Sequence, residues 1–278
     1  MSLEIKNISG GVGVEACNVD IAKGLSGADM ATLKAAFVEH GLVFMHNQTI
    51  TPEQHIEFAK NWGEININRF FAKVDGYEEI AAVVKEKDQL GNIGGGWHTD
   101  HSYDQIPALG SILIARETPP VGGDTLFSCM YKAYDSLSDG MKKTLENLKA
   151  VHSSRHIFGE QSSYQEAMSD RLSNAEAATQ DAVHPIVITH PESGRKALYV
   201  NPAFTLHIEG WTDAESKPLL DYLYQHAVQM EHTTRFKWAV GSIAFWDNRC
   251  TWHYALNDYH GERREMHRIT IEGSPLAA

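Results

Sequence analysis

The sequence predicts a mainly β chain with flanking helices (α+β), built as a double-sheet sandwich of the jelly-roll kind. Short β-branched and aromatic runs recur along most of its length. Turn signals rich in Pro, Gly and Asp separate many of these runs, and the strongest helix signals lie near the N-terminus and in insertions between strands. No low-complexity linker, internal repeat or abrupt composition shift interrupts residues 1–278, so one continuous domain is the economical reading.

Residues 28–40 read as a helix ended by Gly41, and 41–46 as the strand that follows. Thr51-Pro52-Glu53-Gln54 is the clearest helix start: Thr51 is the N-cap, Pro52 takes the first helical position and Gln54 completes a capping box. That helix runs to about Asn61. Runs at 80–84, 109–115, 125–129, 183–189, 197–200, 242–246 and 266–271 read as strands. Pro119-Pro120-Val121-Gly122-Gly123-Asp124 and Pro191-Glu192-Ser193-Gly194 read as reversals between paired strands. Residues 213–229 carry Leu219, Leu220, Leu223 and Val228 at nearly helical spacing, although Pro218 blurs the helix start.

A chain of 278 residues buries roughly three quarters of its unfolded surface, so neither a disulfide nor a structural metal is required for stability. Cys17, Cys129 and Cys250 are few, odd in number and far apart, which predicts free thiols in a reducing cytoplasm. Met1 to Lys6 show no basic start followed by an apolar run, and no stretch reaches membrane-spanning length. A formal net charge of -12 argues against nucleic acid and anionic membranes as partners. Small molecules remain, with homo-oligomer formation left open. An anionic substrate needs local positive partners, and Arg263, Arg264 and Arg268 form the densest arginine cluster.

The chemistry concentrates in Gly94-Gly95-Gly96-Trp97-His98-Thr99-Asp100. In an extended backbone residues i and i+2 point the same way, so His98 and Asp100 can converge on one ion. His253 is the best third ligand, and two histidines with one carboxylate form the facial set of non-heme Fe(II) oxygenases. By itself an H-x-D pair is weak evidence in a chain with fifteen histidines. His101 would face away in a straight strand and reads as a supporting or surface residue. His152, His156, His184, His190, His207, His226 and His260 read as surface or hydrogen-bonded core groups. If residues 264–271 form a strand, Arg264 and Arg268 share a face, where a guanidinium can grip a carboxylate bidentately. The competing reading is two solvated arginines.

Taken together, Trp97-His98-Thr99-Asp100, Gly122-Gly123-Asp124-Thr125-Leu126, Asn201-Pro202-Ala203-Phe204, Trp246-Asp247-Asn248-Arg249, His253-Tyr254 and Arg263-Arg264-Glu265-Met266-His267-Arg268 make the chain resemble the taurine dioxygenase (TauD/TfdA-like) family of Fe(II)/2-oxoglutarate-dependent dioxygenases. The resemblance implies a double-stranded β-helix, a cupin-like jelly roll. It implies Fe(II) held by His98, Asp100 and His253, with 2-oxoglutarate as co-substrate and O2 as oxidant. Thr125 and Arg264 would bind the distal carboxylate of 2-oxoglutarate, and Arg268 the substrate's anionic group.

Positions matching the family's other substrate contacts are Asn68, Phe71 and Gly94, where the family has histidine, tyrosine and asparagine. These departures point away from taurine itself and toward a bulkier or less polar anion: a sulfonate, sulfate, carboxylate or phosphonate. Phe158 and Phe204 would be apolar pocket walls, or plain core. Trp246 and Asp247 read as scaffold for His253. Two other classes stay open: a zinc hydrolase using the same His/Asp/His set, and a non-catalytic jelly roll that only binds ligands.

Overall fold

The structure, a computed structural model, describes residues 2–278. Its largest sheet has nine strands. Eight run in the order Glu4–Asn7, Val14–Cys17, Leu42–Met45, Ile243–Asp247, Gly110–Glu117, Arg264–Ile271, Tyr77–Lys85 and Lys73–Val74, and Ile65–Asn66 pairs with the end of Arg264–Ile271. A three-stranded sheet, Thr233–Phe236, Thr125–Cys129 and Thr251–Ala255, packs against it through a shared core. Two smaller sheets complete the β structure: Asp181–Pro185 with Lys149–Ser153 and Thr205–Ile208, and Val187–Thr189 with Lys196–Leu198.

The period-two alternation of the central strands creates two cores. Ile243 and Phe245 join Val43, Met45, Ile112, Ile114, Ile269 and Ile271 against helix residues Leu33, Phe37, Ile56 and Phe58. Their neighbours Ala244 and Trp246 turn the other way, meeting Phe44, Leu113 and Met266 together with Phe127 and Trp252 of the smaller sheet. Aromatic stacking joins helix to sheet on the outer side, where the Phe37 and Phe245 ring centroids lie 4.0 Å apart. A third cluster, built from Phe70, Phe71, Tyr103, Phe158, Met168, Leu172 and Phe204, is assembled from loops and short helices.

The helices form where their caps predict. Gly27–His40 is capped by Ser26 and ends at Gly41, whose φ of 67° is left-handed. A side chain is excluded there on a second count, since a Cβ would lie 2.4 Å from Cys250 Sγ. Pro52–Lys60 has both capping-box bonds: Gln54 N–H donates to Thr51 Oγ1 at 3.3 Å, and Thr51 N–H donates to Gln54 Oε1 at 2.9 Å. Asp213–Ala227 has the same device at Thr212 and Glu215 and retains Pro218 inside.

Three elements differ from expectation. The run 183–189 is not one strand but parts of two, Asp181–Pro185 and Val187–Thr189, in different sheets. Pro185 cannot donate to a ladder, so pairing changes partners there. The Pro119 to Asp124 segment does not reverse between paired strands: it carries the chain from the large sheet to the three-stranded one. Gly122 and Gly123, with φ of 84° and 71°, supply the turn. The strand Thr251–Ala255 had no pattern of its own to announce it. Pro191 to Gly194, by contrast, does join the paired strands Val187–Thr189 and Lys196–Leu198. Among the described residues no helix is long and apolar enough to cross a membrane.

A buried charge network fixes the turn between Ile243–Asp247 and Thr251–Ala255. Asp247 Oδ1 accepts from Arg249 N–H at 2.9 Å and Nε at 2.8 Å; Oδ2 accepts from Arg249 Nη2 at 2.6 Å and from His190 Nε2 at 3.0 Å. With its acceptor sites filled, this carboxylate is a structural clamp, although Cys250 lies close by. Burial raises the Cys250 pKa well above the usual thiol range, so the sulfur stays protonated. Replacing Arg249 leaves Asp247 buried without its main partner. Arg249→Leu is expected to cost about 3–5 kcal/mol, read as a lower urea midpoint at unchanged slope.

Candidate active site

His253 occupies the middle of the strand Thr251–Ala255, and the His98 segment lies directly beside it. His98 N–H donates to the His253 carbonyl at 3.1 Å and His253 N–H donates to the His98 carbonyl at 2.8 Å. This reciprocal pair sets the two imidazoles side by side, with ring centroids 4.0 Å apart and planes tilted by 47°. Asp100, two residues along, comes to the same side. His98 Nε2 lies 3.8 Å from Asp100 Oδ1, and His253 Nε2 lies 3.9 Å from Asp100 Oδ2. Both distances are too long for hydrogen bonds, so the three groups converge without satisfying one another.

The local chemistry prepares these groups as ligands. Gly96 offers only a carbonyl to His98 Nδ1, at 2.7 Å, so Nδ1 carries the proton and Nε2 keeps its lone pair. Burial lowers the His98 pKa and, reinforced by His98 itself, lowers that of His253 well below the usual imidazole range. Both rings are therefore neutral. Burial alone would raise the Asp100 pKa, but Arg268, then His253, His98 and His101, outweigh it and hold the carboxyl below the usual carboxylate range. Asp100 Oδ2 also accepts from Arg268 Nη1 at 3.2 Å and Ser111 Oγ at 3.3 Å. Two neutral imidazoles and an ionised carboxylate are a donor set that fits iron(II).

The three groups open onto a cavity of about 370 Å³. Phe71, Phe158, Phe204, Val83 and Leu113 form much of its apolar lining, while Thr125, Arg264 and Arg268 contribute polar groups. Arg264 and Arg268 do share a face of Arg264–Ile271, and both are buried rather than solvated. Arg263 points away into a cluster with Glu86, Glu117 and Glu265.

Arg264 Nε and Nη2 are buried and have no partner among the described residues. Burial accordingly lowers the pKa of this guanidinium. Gly123 makes room for it, since a Cβ there would come within 3.3 Å of Arg264 Cδ. Thr125 Oγ1 accepts from Trp238 Nε1 at 2.9 Å, and the Trp238 ring also lies 5.7 Å from the Arg264 guanidinium. Because indole N–H can only donate, the Thr125 hydroxyl must direct its own proton elsewhere. An unpaired buried cation beside a free hydroxyl proton makes a site for a carboxylate.

The remaining expected substrate positions divide. Gly94 lines the cavity with a φ of 79°, and Phe71, Phe158 and Phe204 are in its wall. Phe71 also carries the Arg268 guanidinium 4.5 Å from its ring centroid. Asn68 does not line the cavity. Its Oδ1 accepts from the backbone N–H groups of Phe70 and Phe71, at 2.9 and 3.0 Å, so it positions Phe71. His101 is not a surface residue: a left-handed turn at φ 61° buries it, and Nδ1 bonds Asp104 Oδ2 at 2.8 Å.

Sequence reasoning missed Trp238, Tyr164, Ile157 and Asn92. The last three line the cavity, while Trp238 supports Thr125 from behind. Phe236 and Trp238 carry a period-two signal, but nothing local to Tyr164 announces its place.

The whole chain has close relatives. A model of the "Taurine catabolism dioxygenase TauD, TfdA family" matches residues 4–270. An α-ketoglutarate-dependent sulfate ester dioxygenase of Pseudomonas putida is 31% identical, covering 98% of this chain and 90% of that protein. An α-ketoglutarate-dependent 2,4-dichlorophenoxyacetate dioxygenase of Cupriavidus pinatubonensis is 33% identical, covering 93% of each. The crystal structure of a taurine dioxygenase from Burkholderia xenovorans superposes with a TM-score of 0.82 at 33% identity, over 99% of this chain and 90% of that one. Sequence, fold and a converged His/Asp/His set agree, and the chain belongs to the taurine catabolism dioxygenase TauD, TfdA family.

Proposed function

We propose that the chain acts, as one catalytic domain, as an Fe(II)- and 2-oxoglutarate-dependent dioxygenase that hydroxylates a C–H bond of a small organic anion. The observation that carries this reading is Arg264: a buried guanidinium with two unpartnered nitrogens, in the same cavity as the His98, Asp100 and His253 set. A zinc hydrolase built on the same three groups has no need for that cation.

When bound, iron(II) would let O2 act as the oxidant, 2-oxoglutarate giving up two electrons as it takes one oxygen atom and becomes succinate and carbon dioxide, and the other oxygen atom entering the substrate C–H bond. His98, Asp100 and His253 would hold the metal. Arg264 would grip the distal carboxylate of 2-oxoglutarate, and Thr125, oriented by Trp238, would donate to it. Arg268 steadies Asp100 through Nη1 and lines the cavity, where its guanidinium would meet an anionic substrate. Phe71, Phe158 and Phe204 exclude water and hold the substrate's apolar body beside the metal set.

The sulfate ester and phenoxyacetate named for two relatives suggest the substrate class: a sulfate, sulfonate, carboxylate or phosphonate. Phe71 and Gly94 stand where the family has tyrosine and asparagine, which favours a less polar body than taurine. Free thiols at Cys17, Cys129 and Cys250 suit a reducing cytoplasm.

Anaerobic addition of Fe(II) and 2-oxoglutarate should produce a visible metal-to-ligand charge-transfer band, and a wild-type protein that gives none refutes the reading. In that titration Arg264→Ala should weaken 2-oxoglutarate binding about 100-fold and Trp238→Phe about fivefold. His98→Ala should abolish succinate formation while circular dichroism stays native. Arg268→Ala should raise KM for every true substrate; unchanged turnover would remove it from the anion site.

A further inference from the structure

Most of the cavity's uncharged side-chain donors are engaged. Asn92 Nδ2 donates to the Ala255 carbonyl at 2.9 Å and the Leu256 carbonyl at 3.3 Å, Asn257 Nδ2 gives one of its two protons to the Leu90 carbonyl at 2.8 Å, and the Thr125 hydroxyl is assigned to 2-oxoglutarate. Trp246 has an unpaired indole N–H, but it is almost wholly buried against His253, 4.6 Å between ring centroids. Tyr164 is different. Its hydroxyl accepts from Gly94 N–H at 3.3 Å, which consumes an acceptor site and leaves the phenolic proton free. Among the described residues it has no other hydrogen-bond partner. Burial raises the Tyr164 pKa, so the proton is retained at neutral pH.

The backbone that this hydroxyl bonds lies close to the metal set. A Cβ on Gly94 would sit 3.3 Å from His98 Cε1 and 3.8 Å from Nε2, so this backbone runs along the metal-facing edge of the ligand. Tyr164, on the short helix Ser163–Ala167, lines the same cavity and reaches this backbone through its hydroxyl. The neighbouring walls, Ile157, Phe158 and Phe204, accept no hydrogen bond through their side chains.

We propose that Tyr164 is a specificity-determining residue that donates a hydrogen bond to an ester or ether oxygen linking the substrate's oxidised carbon to the rest of the molecule. The cavity is thereby biased toward sulfate esters and aryloxyalkanoates over the corresponding molecules with methylene at that point. This assignment rests on the dioxygenase reading above.

The test uses two pairs that differ only by that oxygen: pentyl sulfate with hexane-1-sulfonate, and phenoxyacetate with 3-phenylpropanoate. Each is titrated anaerobically into the Fe(II)/2-oxoglutarate complex of wild type and Tyr164→Phe, following the shift of the charge-transfer band. KM and kcat for succinate release are measured alongside. Tyr164→Phe should weaken binding of the oxygen-containing member of at least one pair about fivefold, leave its methylene partner within twofold and act on KM rather than kcat. Equal weakening within both pairs would mean that Tyr164 only supports the Gly94 loop, and it overturns the assignment, as does no change for either oxygen-containing compound. A wild-type complex that binds neither pentyl sulfate nor phenoxyacetate overturns the substrate class with it. A protein that takes up no 2-oxoglutarate brings down the dioxygenase reading itself.

Discussion

The active site depends on one pair of backbone hydrogen bonds, the reciprocal exchange between His98 and His253. It stitches an irregular, glycine-rich loop to the three-stranded sheet. Side-chain placement then follows from backbone geometry: His98 lies beside His253, and Asp100 arrives at i+2 on the same side. The clamp at Asp247 and Arg249 sits at the start of the strand that carries His253 and holds it in register. Precision at the ligands is therefore inherited from main-chain pairing and a saturated salt bridge, neither of which takes part in the chemistry.

Electrostatically, the molecule works against its own average. A chain of formal charge -12 buries two guanidinium groups, Arg264 and Arg268, in a single cavity. Arg268 is offset by a direct bond to Asp100 and by the face of Phe71, whereas Arg264 has the Trp238 ring and only longer-range help from Tyr259 and Asp124, with no direct carboxylate partner. Leaving such a cation uncompensated is costly, and a carboxylate ligand is what relieves it. The proposed preference for a dicarboxylate co-substrate rests on the desolvation of this one side chain.

Much of this was legible in the sequence because it is local. The H-x-D pair, the alternation that puts Arg264 and Arg268 on one face and the capping box at Thr51 are all relations within five residues. Central strands such as 125–129 announced themselves through β-branched and aromatic runs, and the family motifs pointed to His253, which the fold does bring beside His98 and Asp100. What failed was non-local or concerned backbone. Asn68 aligned with a substrate position, yet its oxygen caps two amides, a role that composition does not reveal. The 183–189 run looked continuous until Pro185 redirected its pairing. Trp238 and Tyr164 reach their partners from far along the chain, and only the assembled fold brings them together.

The third aromatic cluster has a consequence for divergence. Phe70, Tyr103, Phe158, Met168, Leu172 and Phe204 form a roof whose members belong to neither of the two sheet cores. It is tied to the rest of the cavity rim by polar threads such as Arg171 Nη1 to the Gly91 carbonyl, 3.0 Å, and Asn174 Nδ2 to the Arg69 carbonyl, 2.7 Å. Repacking such a roof does not open a void in the sandwich that holds the metal ligands. Changes of substrate can therefore accumulate in one module at little expense to the stability of the other, so a single oxidising centre can be fitted with many different ceilings.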